Sequence, residues 1–393
     1  MLTGQLYSSL RAMRNYQTLP EIVPVSTDET IGAEDVPAVS IIVPARNEEA
    51  NIARLLTSLM HQDYPRYEVI VVNDASTDNT AAIVQAYEGV RLIPIDGPPE
   101  GWTGKNYACW IGAGYARSPW LLFVDADTEL ATSALRSTIH FAVKQHIKAL
   151  SLFPQQRCET FWERLLLPFA YQQYFVGTDA RVNERNGPAL ANGQYFFIHH
   201  TAYELVNGHA ANAGSIVDDA ALAISLKRKG IISLACRGEE LVSVRMYTNV
   251  QQIANGFGKN IYPYLHQSPL TGIQTAFSTI LASAVAFLFI DARREKSYPL
   301  FLIAVLAYMT QVMSALPWFK HFGIMRRYAL LTPFAALAFL AIAINSLLHT
   351  IVGRSVAWKG RSYAMRKKHL VPARDYSTMN DVRSSESRLV ERY

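Results

Sequence analysis

Residues 39–74 read VSIIVPARNEEANIARLLTSLMHQDYPRYEVIVVND. A β-branched run, VSIIVPA, gives way to a stretch of helical period, EEANIARLLTSLMHQ, and then to a second apolar run, EVIVVND. Strand, helix and strand of these lengths form a βαβ unit with two parallel strands. The pattern continues outward with a helix opening after STD, the run VRLIPID, a helix over about residues 104–116, and the strand WLLFVDAD. The spacing therefore predicts an α/β domain with a mostly parallel, Rossmann-like sheet. In such sheets ligands bind outside the carboxyl ends of the strands. The motifs PARNE, NDAS and DADT each stand at such an end.

The remaining chain divides by composition. Half of the 393 residues are apolar, but they are unevenly spread. Residues 39–247 mix charged, turn-forming and apolar residues as a soluble catalytic unit does, and FWERLLLPFAYQQYF, GQYFFI and DDAALAISLKRKG extend it as helix, strand and helix. Uncharged runs follow at 270–290, 298–316 and 329–349, each near the roughly 20 residues a membrane helix needs. Residues 248–266 read as an interfacial amphipathic helix with Phe257, Tyr262 and Tyr264 at headgroup level. Residues 1–38 read as a polar, partly helical lead-in without the apolar core of a signal peptide. Residues 351–393 form a basic, partly disordered tail. The net charge of +5 is modest and gathers in that tail at Arg354, Lys359, Arg361, Arg366, Lys367 and Lys368, so anionic lipid is the expected partner and nucleic acid is not. Cys109, Cys158 and Cys236 lack CxxC spacing, which gives neither a disulfide framework nor a zinc site. Thr271, Gln274, Thr275, Ser278, Thr279 and Ser283 dilute the first apolar run, so it is expected to lie in the interface or re-enter, keeping the basic tail cytosolic with WKGRSY by the inner headgroups.

Each candidate for chemistry has a bland alternative. Asp125 and Asp127 straddle one alanine at a strand end, where two carboxylates converge on a hard divalent cation, or where they simply precede a helix capped by Thr128 or Thr132. Asp74 is placed to accept hydrogen bonds from a base or ribose, or to close an Asx turn. Asn47 and Glu48 start the next helix or line a nucleotide pocket, and Arg46 is suited to a phosphate or a neighbouring carboxylate. GPPEGWTGKN is no P-loop, because Pro99 and Asn106 occupy the positions of the first glycine and the final Ser or Thr. It leaves a glycine-rich turn with Gly104 and Lys105 at a helix start, suited to a diphosphate or merely solvated. Asp218 and Asp219 serve the helix dipole or remove a proton from an acceptor hydroxyl. His199, His200 and His209 lack ligand spacing and read as structural.

In order, VSIIVPARNEEANI, VIVVNDASTDNT, GWTGKNYA, LLFVDADT and IVDDAALA resemble the successive blocks of family 2 glycosyltransferases of the GT-A fold. GWTGK, RCETFWERLLLPF, the RMY to GFGKN stretch and WKGRSY are most similar to the hopene-associated and carotenoid glycosyltransferase branch. The resemblance implies a membrane-bound, inverting enzyme that takes a sugar from a nucleotide-sugar donor, UDP-glucose by analogy, with a divalent metal, Mg2+ or Mn2+. The acceptor it implies is a lipid of carotenoid, hopanoid or glycerolipid type. It assigns Pro44, Arg46, Glu48, Asp74, Gly104, Lys105 and Asp125 to the donor, Asp125 and Asp127 to the metal, and Asp219 with its neighbour Asp218 to base catalysis. Trp162, Gln194, Arg245 and Lys259 fall to the acceptor side or the interface. Two departures matter. RMYTNVQQ stands where processive polysaccharide synthases carry QxxRW, which favours single transfer, and the branch's usual initial membrane span is missing, which points to a shortened start or altered anchoring. The competing class is a non-catalytic nucleotide-sugar-binding membrane scaffold.

Overall fold

The computed structural model describes residues 2–26, 36–267, 269–351, 356–358 and 361–363. In chain order the elements are α1 (Leu2–Gln17), β1 (Val39–Ala45), α2 (Ile52–Met60), β2 (Tyr67–Asp74), α3 (Thr80–Gln85), β3 (Val90–Ile95), α4 (Gly104–Tyr115), β4 (Trp120–Val124), β5 (Thr128–Leu130) and α5 (Ala134–Lys144). They continue with β6 (Ala149–Phe153), β7 (Gln155–Gln156), α6 (Phe161–Gly177), β8 (Tyr195–His199), α7 (His200–Leu205), α8 (Asp218–Arg228), β9 (Ser233–Arg237) and β10 (Val242–Val244). The last are α9 (Val250–Gln267), α10 (Pro269–Arg294), α11 (Tyr298–His321), α12 (Thr332–Ile351), β11 (Val356–Trp358) and β12 (Arg361–Tyr363).

The main sheet has the order β3-β2-β1-β4-β8-β6-β9. Strands β1 to β4 run parallel, and β8 alone is antiparallel to its neighbours β4 and β6. The chain order reverses between β1 and β4, so the crevice of the sheet opens there, over the ends of VSIIVPA and WLLFV. Ile41, Ile42, Val43, Val71 and Leu122 are fully buried. Such side chains contribute roughly 1.5–3 kcal/mol each on burial. Helix α4 comes so close to the sheet that a Cβ at Gly112 would stand 2.4 Å from Ile42 Cγ2. On the other half, Trp120 of β4 stacks on Phe197 of β8 with centroids 4.6 Å apart. A second sheet, β5-β10-β7, hangs below the end of β4 and carries the chain after β10 back to it. There the Arg245 amide donates to the Asp127 carbonyl at 3.4 Å.

Three sequence expectations change. DADT does not lead directly into a helix: Thr128 lies in β5, and Ser133 occupies the N-cap position of α5. The helical part of the lead-in is packed and not a free polar segment, because α1 buries Ala12 and Tyr16 against α6 and α11. Tyr16 meets Phe175 and Trp318 at 5.0 and 5.6 Å, and Ser9 Oγ donates to the Ser314 carbonyl at 3.0 Å. Third, the first apolar run is a 26-residue unbroken helix, α10. Gly272–Arg294, Tyr298–His321 and Arg326–Leu348 are each long and apolar enough to cross a membrane, with mean hydropathies of 1.9, 1.8 and 2.0, so the first is not the weakest. Among the described residues its hydroxyls, those of Thr275, Ser278, Thr279 and Ser283, turn inward instead of diluting a lipid face. Thr279 and Ser283 bond back to the Thr275 and Thr279 carbonyls, and Thr279 also faces Gln173 of α6. The basic residues Arg354, Lys359, Arg366, Lys367 and Lys368 lie outside the described residues, as does the side chain of Arg361. Val356–Trp358 and Arg361–Tyr363 pair as an antiparallel ladder.

Candidate active site

The loops after β1 and β2 are tied into one wall. Asn47 and Ala75 follow the two strands with φ of 51° and 48°, the left-handed region that costs an L-residue about 1–3 kcal/mol unless neighbours hold it. Here Arg46 Nη1 donates to the Asp74 and Ala75 carbonyls at 2.6 and 3.0 Å, the Asn47 amide donates to Ser76 Oγ at 3.0 Å, and Asn47 Oδ1 accepts from the Thr77 amide at 2.8 Å. Asp74 is buried at the foot of this wall. Opposite it, Thr103 caps α4 by accepting from the Asn106 amide. That cap presents Lys105 in the first turn. Lys105 Nζ lies 2.8 Å from Asp125 Oδ1 at the end of β4 and 3.3 Å from Asp218 Oδ2 at the start of α8.

Asp219 sits beside this bridge. Its Oδ2 accepts from the Gly193 amide at 2.8 Å and its Oδ1 from the Ala220 amide at 2.8 Å. Burial, and then the adjacent Asp218 carboxylate, push it above the ordinary carboxylate range to about 6, against the pull of Lys105. Burial would raise Asp218 too, but Lys105 and then His209 outweigh it and hold Asp218 low. The neighbouring carboxylates thus differ in proton affinity, the arrangement that separates a charge partner from a base. Burial works against the Lys105 ammonium, yet Asp125 and Asp218 keep it well above its usual value. The cluster belongs to a cavity of about 1200 Å³. Pro44, Arg46, Glu48, Asp74, Lys105, Asp125, Asp127, Asp218 and Asp219 line one end of it, and Thr275, Ile280, Phe339, Leu340 and Ala343 line the other.

Residues 40–202 match the family model described as glycosyl transferase family 2. The chain carries a family 2 glycosyltransferase domain. The chain is 33% identical over 228 residues to a 4,4'-diaponeurosporenoate glycosyltransferase of Staphylococcus haemolyticus, a match that covers 57% of this chain and 60% of the relative, less than two thirds of its length. It is 28% identical over 354 residues to the enzyme of that name from Staphylococcus aureus strain MRSA252, covering 84% of this chain and 89% of the relative. Among solved structures, a mannosyltransferase from Pyrobaculum calidifontis in complex with GDP-Man and Mn2+ superposes with a TM-score of 0.50 at 19% identity, covering 80% of this chain and 93% of that one. This likeness is one of fold, and it bears out the GT-A architecture.

The fold brings the expected donor residues Pro44, Arg46, Glu48, Asp74, Gly104, Lys105 and Asp125 to the cavity, together with Asp127, Asp218, Asp219, Gln194 and Arg245. Arg245 is held by acids: its Nη1 lies 2.7 Å from Glu159 and its Nε 3.0 Å from the fully buried Glu163. Trp162 is not among the cavity's lining residues, since it stands 40% exposed on the first turn of α6 beside the exposed Phe161. The side chain of Lys259, on α9, lies outside the described residues. Two contributors escaped the sequence reading. Asn106 Nδ2 donates to the carbonyls of Asn212, Ala213 and Ser215 at 2.8–3.1 Å, tying the loop before Asp218 to the Lys105 helix. Gly193 fits between Lys105 and Asp219, where a Cβ would stand 3.1 Å from Nζ and 3.3 Å from Asp219 Cβ. The GKN triplet hinted at the first, while nothing local marks the second. Among the described residues no three His, Cys, Asp or Glu side chains gather as a closed metal site. A hard cation on a diphosphate takes one or two carboxylates and completes its shell with phosphate oxygens and water, and the all-oxygen pair Asp125 and Asp127 fits that donor set.

Proposed function

We propose that this glycosyltransferase moves one sugar from a nucleoside-diphosphate donor to the hydroxyl of a membrane lipid. The observation that carries the reading is the single cavity whose one end gathers Lys105, Asp125, Asp127, Asp218 and Asp219 and whose other end is walled by the apolar helices α10 and α12. In this reading Asp74 receives the base or ribose, and the diphosphate lies near Lys105. Asp125 and Asp127 would hold Mg2+ or Mn2+, which when bound neutralises the charge of the leaving diphosphate. Asp219 takes the proton of the acceptor hydroxyl as its oxygen bonds to the anomeric carbon. The bond from that carbon to the diphosphate oxygen breaks, and its electron pair leaves with the nucleoside diphosphate. One in-line displacement inverts the anomeric centre.

The donor to try first is UDP-glucose, which the family resemblance implies. Nucleotide sugars are cytosolic, so the catalytic unit 39–247 faces the cytosol, with 248–266 at the interface and 270–350 in a multi-pass membrane unit. The substrate named for the staphylococcal relatives is a carboxylate. Charge favours a neutral hydroxyl in this chain. Among the described residues around the cavity, Lys105 is engaged by Asp125 and Asp218, Arg245 by Glu159 and Glu163, and Arg46 by two carbonyls, so an acceptor carboxylate at Asp219 would meet the acidic pair Asp218 and Asp219.

Nucleotide release from UDP-glucose at saturating donor, with Mg2+ or Mn2+ and lipid extract, tests the reading. Asp127→Asn is expected to lower turnover by at least about a hundredfold, the loss of roughly 2.7 kcal/mol of transition-state stabilisation. Wild-type turnover in that variant would remove the metal role from Asp127.

A further inference from the structure

The apolar end of the cavity meets the outer surface of the helical bundle. On α10, Thr275, Ala276, Thr279 and Ile280 line it. Thr279 is 3% exposed and faces Gln173 of α6, whereas Ile280 is 56% exposed and continues the outward row of Ile273 and Phe277. Ile280 therefore belongs to both surfaces, and the mouth lies at its level. At about 1.5 Å per residue, Ile280 is about 12 Å past the start of the candidate span Gly272–Arg294, inside a hydrocarbon layer about 30 Å thick. Across the cavity Phe339, Leu340 and Ala343 of α12 form the facing wall. Phe339 is braced edge-on by Phe169 of α6 at 5.8 Å and by Phe257 of α9 at 5.6 Å. Tyr174, Tyr171, Ala191, Gly193 and Asp219 belong to the same lining as this wall.

We propose that the acceptor is an elongated apolar molecule that enters directly from the hydrocarbon layer past Ala276 and Ile280, lies along Phe339 and Ala343, and presents its terminal hydroxyl to Asp219. The proposal rests on the reading of Asp219 as the base and adds a binding site and a route. A molecule taken from within the bilayer never passes through water, so its apolar surface need not be hydrated on the way. The length of the cavity then selects long acceptors over short ones, while the chemistry at Asp219 is common to both.

The full-length enzyme in liposomes is photolabelled with a long-chain fatty alcohol bearing a mid-chain diazirine, and the adducts are mapped by mass spectrometry. Adducts are expected within 276–280 and 339–343, and an excess of unlabelled alcohol removes them. Labels confined to the outward face of α11 around Leu302 and Ile303 overturn the proposal. In parallel, Ala276→Trp at the exposed mouth and Ala343→Trp on the far wall are compared for nucleotide release with the long-chain alcohol and with a short water-soluble alcohol. The long acceptor is expected to lose kcat/KM by about tenfold or more, an effect of about 1.4 kcal/mol, while the short acceptor and nucleotide binding hold. Ala276→Trp lies on the surface, so it keeps the test standing if Ala343→Trp fails to fold. Equal losses for both alcohols, or none in either variant, overturn the route. Specific labelling of the cavity without nucleotide release by the wild type under any acceptor sinks the transfer reading and leaves the binding site in place.

Discussion

Asp219 and Asp218 are sequence neighbours in one helical turn, yet they hold protons differently because burial and the Asp218 charge outweigh the pull of Lys105 and the amides on Asp219, whereas Lys105 bonds Asp218 directly and holds it low. A base must be ionised to act, and Asp219 is raised to about 6, so activity is present above that pH and falls as pH drops through it. An ordinary surface carboxylate near 4 would put the acid limb about two pH units lower. Asp218→Asn removes a like charge beside Asp219, and we expect the acid limb of kcat/KM to move to lower pH in that variant. A limb that stays in place would assign the raised value to burial alone. Asp219→Asn should lose turnover by at least about a hundredfold while titrations still show donor binding, since the proton it takes belongs to the acceptor. Loss of donor binding in parallel with turnover would return Asp219 to a structural role.

At the scale of elements, the site depends on how the start of α4 docks on the loop that leads into α8. Asn106 makes that joint with three backbone acceptors, and Asn106→Ala removes its side-chain donor from all three, although the Asn212 and Ala213 carbonyls keep the Ser215 and Thr103 amides. A lost hydrogen bond is worth about 0.5–1.5 kcal/mol, so a lower Tm and reduced turnover should appear together. Gly193→Ala is the sharper probe. Its added methyl presses on Lys105 and Asp219 at 3.1 and 3.3 Å, and we expect turnover to fall severalfold with far-UV circular dichroism and Tm nearly unchanged. The first half of the sheet was readable because its strands are short apolar runs ending in turn motifs, as in VSIIVPA before PARNE. In the second half only β8 was, through GQYFFI. β9 is the five-residue SLACR, β7 of the small sheet is only Gln155–Gln156, and their pairing is set by partners remote in sequence. The acids of the site were legible as motifs at strand ends, whereas Gly193 works through an empty volume that no residue pattern signals. Trp162 drew attention through its motif and lies away from the cavity, because α6 turns Phe161 and Trp162 outward where it starts.

For the whole molecule, the sequence argument from hydroxyls on the first apolar run gave way to the way α10 packs. Counting composition ignores which face a residue occupies, and the polar face of α10 is spent on α6. Arg11 and Tyr16 of α1 hold the beginning of α10 and the end of α11 against the catalytic unit, through Gln274 and Trp318. The turn between α10 and α11 therefore points away from it. Glu295→Cys and Met325→Cys should label from opposite faces of the membrane, with Met325 on the side of the catalytic unit. Labelling of both from one side would mean that α11 does not cross, and Glu295 on the side of the catalytic unit would mean that α10 does not. Ile280, shared between the lipid-facing row and the cavity wall, has a kinetic consequence as well. An enzyme that draws its acceptor sideways from a two-dimensional solvent responds to the acceptor's mole fraction in that solvent and not to its amount per volume of buffer. Diluting the acceptor with inert detergent at constant total acceptor should slow the reaction, while diluting the whole suspension with buffer should leave the rate per enzyme unchanged.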